Sequence, residues 1–565
     1  MSYLAAILTG LFLWASFPPS SHPGLGLAAL IVLFAVLWPR PKPEPALPAA
    51  WWRPTRAPGA FLHGYVAGAV FFLLNLQWLR HVTGLGMVML ALYLAIYPAL
   101  WAIFAATVGK PRHWTSNWEL ARAAGLTAAA WTGLEWVRGI ALTGFGWNGL
   151  GVGLLGNNEN LRIVQFAEWI GVTGLSFFVC LWAAVFVAGW RLDQFIDLGR
   201  RTRRDSVRQA KWWASLIASG LGLGIVGDWR LRSIEASLHD APPMTVALVQ
   251  PNIPQENKNN YESFESIART LTRLTEEAFA ADPKPDMVVW PESSLPAPYF
   301  YEGVQDVLRQ DTVLGDFVHV LGIDDQELDA YYNSVAVFRG DPLEAVLHHK
   351  VHLVPFGEYL PARGLFGKFE FIRAQLPGDF HPGTSTNPVA IPPRRASGPA
   401  GDPPDGVASA TAASGSAGTP NLAFSLIPLV CFEDTLGRVA RRFARPEPQL
   451  LVNVTNDAWF LDSEGADQHF ANARFRAIEL RRPMIRAANT GVTAVIDPLG
   501  RVTHQLPRLQ EGHLKATLPQ PIDRTLTVYA RVGDLFSVSL LGLAAAATLH
   551  AIWQRVSRRR SGAEV

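Results

Sequence analysis

Cysteine is scarce in this chain, and its scarcity excludes whole classes of structure. It contains two cysteines, Cys180 and Cys431. One pair cannot build a disulfide framework, and the sequence has no cysteine spacing typical of zinc sites. Cys180 lies in the apolar run LSFFVCLWAAVFVAG, which predicts an inert residue in a core or facing lipid. Cys431 stands alone in the polar part of the chain and is either an inert buried thiol or a nucleophile.

Charge is scarce as well. Charged residues make up 17% of the 565 residues and hydrophobic residues 49%, against roughly a quarter charged in a typical soluble protein. The net charge of +2 offers no basic excess to meet a phosphate backbone, so no nucleic-acid partner is expected. The mean hydropathy is nevertheless only +0.15. The composition therefore favours a membrane protein with a sizeable polar domain.

Apolar runs that reach or approach the length needed to cross a hydrocarbon core of about 30 Å recur near both ends of the chain. They predict an α-helical polytopic membrane domain of about eight spans, at residues 3–17, 23–38, 60–79, 85–108, 123–142, 163–190, 212–226 and 535–553. No basic residue precedes the first run, so the N-terminus does not resemble a secretory signal.

The distribution of basic residues predicts the orientation of these spans. With a cytoplasmic N-terminus, the outside loops hold little beyond Arg80 and Arg162. The inside loops and tail then carry Arg40, Lys42, Arg53, Arg56, Lys110, Arg112, Arg122, Arg191, Arg200, Arg201, Arg203, Arg204, Arg208, Lys211, Arg555, Arg558, Arg559 and Arg560. Because basic loops stay on the cytoplasmic side, both termini are expected in the cytoplasm.

The domain boundaries follow from this topology. We expect a membrane domain of seven spans at residues 1–228, a connector at 229–242, an outer domain at 243–531, an eighth span at 532–554 and a cytoplasmic tail at 555–565. The outer domain would be periplasmic in a Gram-negative cell. It has strand-like runs at 245–250, 287–290, 318–322, 334–338, 426–431, 450–454 and 492–496, with helical periodicity at 261–281 and 468–482, which predict an α/β fold. The Gly/Ala/Ser/Pro-rich stretch 393–420 is predicted to be a disordered insertion.

Three short motifs in the outer domain carry side chains suited to acyl transfer. They are VVWPESSLP with Glu292, HHKVHLVPFGEYLP with Lys350 and Glu358, and LIPLVCFEDT with Cys431. A thiol is a strong nucleophile once its proton is removed, and a carboxylate in an apolar pocket can remove it. An ammonium group and backbone N–H groups after the cysteine can stabilise the oxyanion of a tetrahedral intermediate.

The order of these motifs resembles the Glu-Lys-Cys triad of the nitrilase superfamily. Together with NVTNDAWF, QHFANARFRAIELRRPMIRAANTG, EWVRG, TGFGW and the flanking spans, it resembles the apolipoprotein N-acyltransferases, a membrane-embedded branch of that superfamily. The resemblance implies an α-β-β-α sandwich in the outer domain. It also implies that Glu292 is the general base, Lys350 the oxyanion stabiliser and Cys431 the nucleophile. Supporting residues would be Glu358, which orients Lys350, together with Phe432 and Glu433.

This chain departs from that family at two positions. Phe432 stands where the family has a tyrosine, which removes a phenol hydroxyl but leaves the backbone N–H. Asn259 or Asn260 stands where the family carries a tryptophan, so a lipid contact there is not transferable. Neither departure removes a member of the triad.

The remaining motifs give weaker predictions. NVTNDAWF forms a polar turn followed by aromatic residues, and Asn456, Trp459 and Phe460 are predicted to line the substrate site, with Trp459 or Phe460 facing the acyl chain. The helix 468–483 carries Arg474, Arg476, Glu479 and Arg482, which read as structural. The grouped histidines His348, His349 and His352 lack further ligands, so no metal is predicted, and no cofactor is expected.

The resemblance implies N-acylation of the N-terminal diacylglyceryl-cysteine of lipoproteins, with a phospholipid as acyl donor and a thioester on Cys431, in the bacterial inner membrane. A monomer is expected. Two alternatives remain open. A membrane-anchored amidase acting on small amides or nitriles would need a single anchor, and a polytopic transporter or scaffold with an inactive outer domain would not need the thiol.

Overall fold

The computed structural model describes residues 2–38, 56–114, 116–156, 161–197, 203–258, 260–361, 363–366, 368, 379–393 and 422–560. It combines a helical part, built from both ends of the chain, with a two-sheet domain between them. The insertion predicted at 393–420 lies outside the described residues, apart from residue 393.

The apolar runs of the N-terminal part fold into helices, which satisfy their own backbone hydrogen bonds where lipid offers no partners. These helices are α1 (Ser2–Ala15), α2 (Pro23–Leu37), α3 (Arg56–Asn75), α4 (Gly84–Leu94), α5 (Ile96–Ala106), α6 (Asn117–Arg138), α7 (Leu161–Val164), α8 (Ala167–Asp197) and α9 (Arg203–Leu238). Within the described ranges, four helical segments are long and apolar enough to cross a membrane: Ala57–Asn75, Gly84–Ala106, Ala167–Gln194 and Leu535–Arg558. Helices α1 and α2 are apolar but shorter.

The link between the two parts differs from the predicted connector at 229–242. Helix α9 continues through this region to Leu238, and strand β1 begins at Pro243. Residues 229–238 contain no proline or glycine to break the helix, and an ion pair of 2.9 Å between Asp228 and Arg232 supports it at helical spacing. Helix α9 therefore runs almost directly into the first strand.

The strands of the central domain form two six-stranded sheets among the described residues. They are β1 (Pro243–Gln250), β2 (Met287–Trp290), β3 (Val318–Glu327), β4 (Ala330–Phe338), β5 (Val346–His349), β6 (Val389–Ala390), β7 (Ser425–Val430), β8 (Gln449–Thr455), β9 (Met484–Ala488), β10 (Ala494–Ile496), β11 (Val502–Gln505) and β12 (Gly512–Pro519). The strand orders are β12-β1-β2-β3-β4-β5 and β11-β10-β9-β8-β7-β6. In each sheet three of the four inner strands run parallel, namely β1-β2-β3 and β7-β8-β9.

Helices cover the outer faces of both sheets. Helices α11 (Phe264–Phe279) and α12 (Glu302–Thr312) pack on one sheet and α15 (Gly465–Leu480) on the other. The remaining helices are α10 (Gln255–Lys258), α13 (Arg363–Phe366), α14 (Gly437–Ala440), α16 (Val528–Val532) and the membrane-type α17 (Leu535–Arg560). Along β1, Val246 and Leu248 pack between the sheets, whereas Ala247 and Val249 face helix α11. The predicted α-β-β-α sandwich is confirmed.

Helix α15 joins the sandwich to the membrane-type helices. The predicted amphipathic helix is buried on nearly every side, because α8 packs against the face turned away from the sheet. Glu168 of α8 pairs with Arg481 just after α15 at 2.7 Å, and the Trp147 ring N–H donates to Gln468 at 2.9 Å. These buried contacts hold the two parts together.

Candidate active site

The three triad candidates lie just past strand ends at one edge of the sandwich. Glu292 follows β2, Lys350 follows β5 and Cys431 follows β7. Strands fixed by pairing hold such side chains rigidly while the following loops admit a ligand. The sandwich brings together residues that are far apart in sequence.

A buried network links the predicted base and the predicted lysine. Lys350 Nζ donates to Glu358 Oε1 at 2.8 Å and lies 3.8 Å from Glu292 Oε1. Asn333 Nδ2 donates to both carboxylates, at 2.7 Å to Glu292 and 3.0 Å to Glu358. The Asn456 backbone N–H donates to the second oxygen of Glu292 at 2.8 Å. Both carboxylates and the ammonium are thereby held in fixed positions.

Lys350 is 1% exposed and remains a cation. Burial alone would lower the pKa of its ammonium group, but the carboxylates of Glu358 and Glu292 outweigh burial and raise the pKa. The site therefore presents a permanent positive charge close to the nucleophile.

Cys431 lies in a strained backbone conformation with a φ of 50°, a region that non-glycine residues enter at a cost. Glu292 and Lys350 both lie close enough to its thiol to influence its charge state. Burial raises the pKa of the thiol well above its usual value, Glu292 raises it further, and Lys350 opposes both. The resting thiol is therefore protonated, and it would need a base to accept its proton before it could act as the predicted nucleophile.

Glu433 is fully buried and joins the loop that follows Lys350 to the short helical turn Cys431–Thr435. One of its oxygens accepts the backbone N–H groups of Val351 and His352 at 2.8 Å, and the other accepts that of Val430 at 2.9 Å. Burial raises the pKa of its carboxyl to about 7. Glu433 therefore fixes the backbone on both sides of the site, and its supporting role stays a prediction.

An aromatic cluster connects the nucleophile turn with the membrane-type helices. Phe432 stacks on Trp147 at a ring-centroid distance of 6.3 Å, and Trp147 lies 5.1 Å from Trp78. Phe460 packs on Trp78 at 4.8 Å, whereas Trp459 is 39% exposed. Of the two aromatic residues predicted to face the acyl chain, Phe460 lies in this apolar wall and Trp459 at the surface.

Asn456 sits behind the predicted base. Its side-chain N–H donates to Gln255 at 2.6 Å, and its side-chain oxygen accepts from Asn489 at 2.8 Å. With both ends of the amide occupied by protein partners, the residue anchors Glu292 through its backbone rather than presenting a free group to substrate.

Sequence reasoning missed Asn333, the amide that bridges the two carboxylates. An asparagine inside the run YYNSVAVF, otherwise typical of a buried strand, was an available signal. Its partners could not be identified, because Glu292 and Glu358 come from other strands and loops.

A buried charge cluster behind Cys431 was also missed. His469 places its two ring nitrogens 2.7 Å from Asp457 and from Asp434. Arg486 lies 3.0 Å from Asp457 and 3.3 Å from Asp434. All four side chains are at most 1% exposed. The two carboxylates offset the charges of the guanidinium and the imidazolium, which reduces the free-energy cost of burying the four groups together.

This cluster predicts a pH-dependent stability. Burial alone would lower the pKa of His469, but Asp434 and Asp457 outweigh burial and the adjacent Arg486, and raise it from 6.5 to about 9. The folded state therefore binds a proton that the unfolded state releases above pH 6.5. This stabilisation is complete below pH 6.5 and is lost as pH rises through about 9. The melting temperature in detergent should fall across that window, and His469→Gln should flatten the fall. An equally steep fall in the variant would contradict the assignment.

The histidines near Lys350 show no free set of metal ligands in the described region. Burial lowers the pKa of His348 and of His352 to about 4, so both are neutral. His349 lies with Asp325 and Glu327, whose ligand atoms are within 4.8 Å of one another. Its ring nitrogens already contact Ser334 at 2.9 Å and Glu327 at 3.3 Å. We assign no metal to this group.

Comparisons with known proteins agree with this geometry. The family model for carbon-nitrogen hydrolases matches residues 245–525, and that for the N-terminal domain of apolipoprotein N-acyltransferases matches residues 9–185. Fold and site thus define a carbon-nitrogen hydrolase domain joined to membrane-type helices.

Relatives of known family identify the protein family within this class. An apolipoprotein N-acyltransferase from Bradyrhizobium diazoefficiens is 33% identical over 538 residues, covering 89% of this chain and 87% of that protein. One from Nitrosomonas europaea is 31% identical, covering 90% and 92%. The chain belongs to the apolipoprotein N-acyltransferase family. Among solved structures, an amidase of the nitrilase superfamily from Nesterenkonia AN1 is 18% identical with a TM-score of 0.32, covering 51% of this chain and 93% of that one.

Proposed function

We propose that this acyltransferase moves an acyl chain from a phospholipid to the N-terminal amine of a diacylglyceryl-cysteine on a lipoprotein. The observation that carries the proposal is that the half-buried Cys431 lies with the buried Glu292 and Lys350 beside an aromatic wall shared with the helical part. A thiol with an adjacent base and a fixed cation suits acyl transfer through a thioester.

In the first step, Glu292 accepts the Cys431 proton as the sulfur attacks the ester carbonyl of the phospholipid. Lys350 and the backbone N–H after the nucleophile stabilise the oxyanion. The carbon–oxygen bond breaks, and Glu292 returns its proton to the departing lysophospholipid hydroxyl. The products are a thioester on Cys431 and a lysophospholipid.

In the second step, the lipoprotein amine attacks the thioester carbonyl and gives a proton to Glu292. The carbon–sulfur bond breaks, and the leaving sulfur takes the proton back from Glu292. In the overall reaction an ester and an amine give an amide and an alcohol, and the thiol is regenerated. Water would hydrolyse the intermediate, so the aromatic wall of Trp78, Trp147 and Phe432 serves to keep the site dry.

Both substrates carry acyl chains whose exposure to water costs about 0.8 kcal/mol per CH₂, so lateral entry from the bilayer is favoured. We propose the bacterial inner membrane as the location, with about eight spans, cytoplasmic termini, a periplasmic sandwich domain and a monomeric chain. The basic loops support this orientation.

The test uses purified protein in vesicles with an isotope-labelled phospholipid and a synthetic diacylated lipopeptide. We expect a triacylated product carrying the label and one lysophospholipid per transfer, both measured by mass spectrometry. Release of ammonia from small amides without transfer would favour the amidase alternative. Absence of both reactions in folded protein would favour a scaffold.

A further inference from the structure

The peptide group that joins Cys431 to Phe432 is held from behind by two buried side chains. Its carbonyl oxygen accepts from Asn453 Nδ2 at 3.3 Å and lies 3.3 Å from His469 Nε2. Asn453 also donates to the Leu429 carbonyl at 3.2 Å. Asn453 and His469 are 0% and 1% exposed, and both contact this peptide group at its carbonyl oxygen.

Neither side chain is free to turn away. His469 is bonded on both ring nitrogens by Asp457 and Asp434. The Trp147 ring packs against the imidazole at a centroid distance of 5.7 Å. Asn453 belongs to strand β8, whose backbone is paired with β7 and β9. The carbonyl is thus fixed by rigid elements of the sandwich.

Fixing this carbonyl also fixes an N–H group. In a planar trans peptide the C=O and N–H bonds point in opposite directions, so the Phe432 N–H is directed away from Asn453 and His469. The short helical turn Cys431–Thr435 begins at the nucleophile, and the first N–H groups of such a turn have no acceptor within it. In the part of the chain that the structure describes, the Phe432 N–H has no acceptor.

We propose that Asn453 and His469 are positioning residues that aim the Phe432 N–H at the oxyanion of the tetrahedral intermediate. This inference rests on the proposed acyl transfer and identifies what preorganises one of its oxyanion donors. Without them the peptide plane can rotate, and the donor must be reoriented during each reaction. Both residues act through the peptide and do not touch the substrate.

The experiment compares two reactions of the same thiol. Acylation by phospholipid builds an oxyanion, whereas alkylation by iodoacetamide displaces iodide at a saturated carbon and builds none. Asn453→Leu removes the amide donor at a similar side-chain size and adds no charge beside the thiol. We expect kcat for acylation to fall about 10²–10³-fold, the cost of losing one oxyanion donor, with KM for phospholipid and the alkylation rate close to wild type.

Two further variants and a control complete the design. His469→Gln and the milder Asn453→Ser should reduce acylation in the same direction by less, and Asn387→Leu, the same exchange at an exposed position, should have no effect. Acylation at the wild-type rate in folded Asn453 and His469 variants would overturn the inference. So would an equal loss of acylation and alkylation, which would mean that the thiol itself has moved. Failure of the wild type to acylate would instead overturn the proposed function.

Discussion

Replacing Cys431 by serine should lower acyl transfer by at least ~10⁴-fold, a loss typical of removing a catalytic nucleophile. A hydroxyl is far less acidic than a thiol, and a carboxylate such as Glu292 is too weak a base to activate it. Burial already raises the pKa of the thiol, and the same surroundings would oppose ionisation of a hydroxyl more strongly. The measurement is the yield of triacylated lipopeptide, together with the mass of intact protein after incubation with phospholipid.

The chain supplies a matched control for this substitution. Cys180, the other cysteine, is buried in helix α8 among apolar residues. Cys180→Ala should keep both the activity and the acyl adduct, whereas Cys431→Ser should lose both. An adduct that persists in Cys431→Ser, or disappears in Cys180→Ala, would contradict the assignment of the nucleophile.

Glu292 and Cys431 could be predicted because each follows a recognisable strand signal. Glu292 comes after MVVW and Cys431 after a run of branched residues, so local pattern alone placed both at strand ends. Lys350 was found through its motif rather than its strand, since β5 has four residues and was not predicted. Asn333 and His469 escaped because their importance lies in contacts made across the sandwich.

In the fold, too, local sequence pattern could not predict elements that depend on long-range contacts. Strand β9 was missed because its sequence MIRAA carries Arg486 in the middle, and a charged residue argues against a buried strand. The structure resolves the conflict by pairing Arg486 with Asp434 and Asp457. Helix α15 looked amphipathic because periodicity cannot show that a second helix covers its polar face.

Replacing Glu292 by glutamine should reduce acyl transfer by about 10²–10⁴-fold, the usual contribution of a general base. The amide has the same shape but cannot accept the thiol proton. In the wild type the carboxylate accepts from both the Asn333 side chain and the Asn456 backbone N–H. The NH₂ group of the glutamine would instead face one of these two donors and lose that hydrogen bond. Both half-reactions should slow, since each passes a proton through this carboxylate.

Two measurements separate loss of the base from loss of the site. The rate of acyl-adduct formation on Cys431 and the rate of its transfer to lipopeptide should both fall in Glu292→Gln. Glu302→Gln on the exposed start of helix α12 should leave both rates unchanged. If adduct formation slowed while transfer kept its rate, a different group would have to accept the proton from the amine, and Glu292 would serve the first step alone.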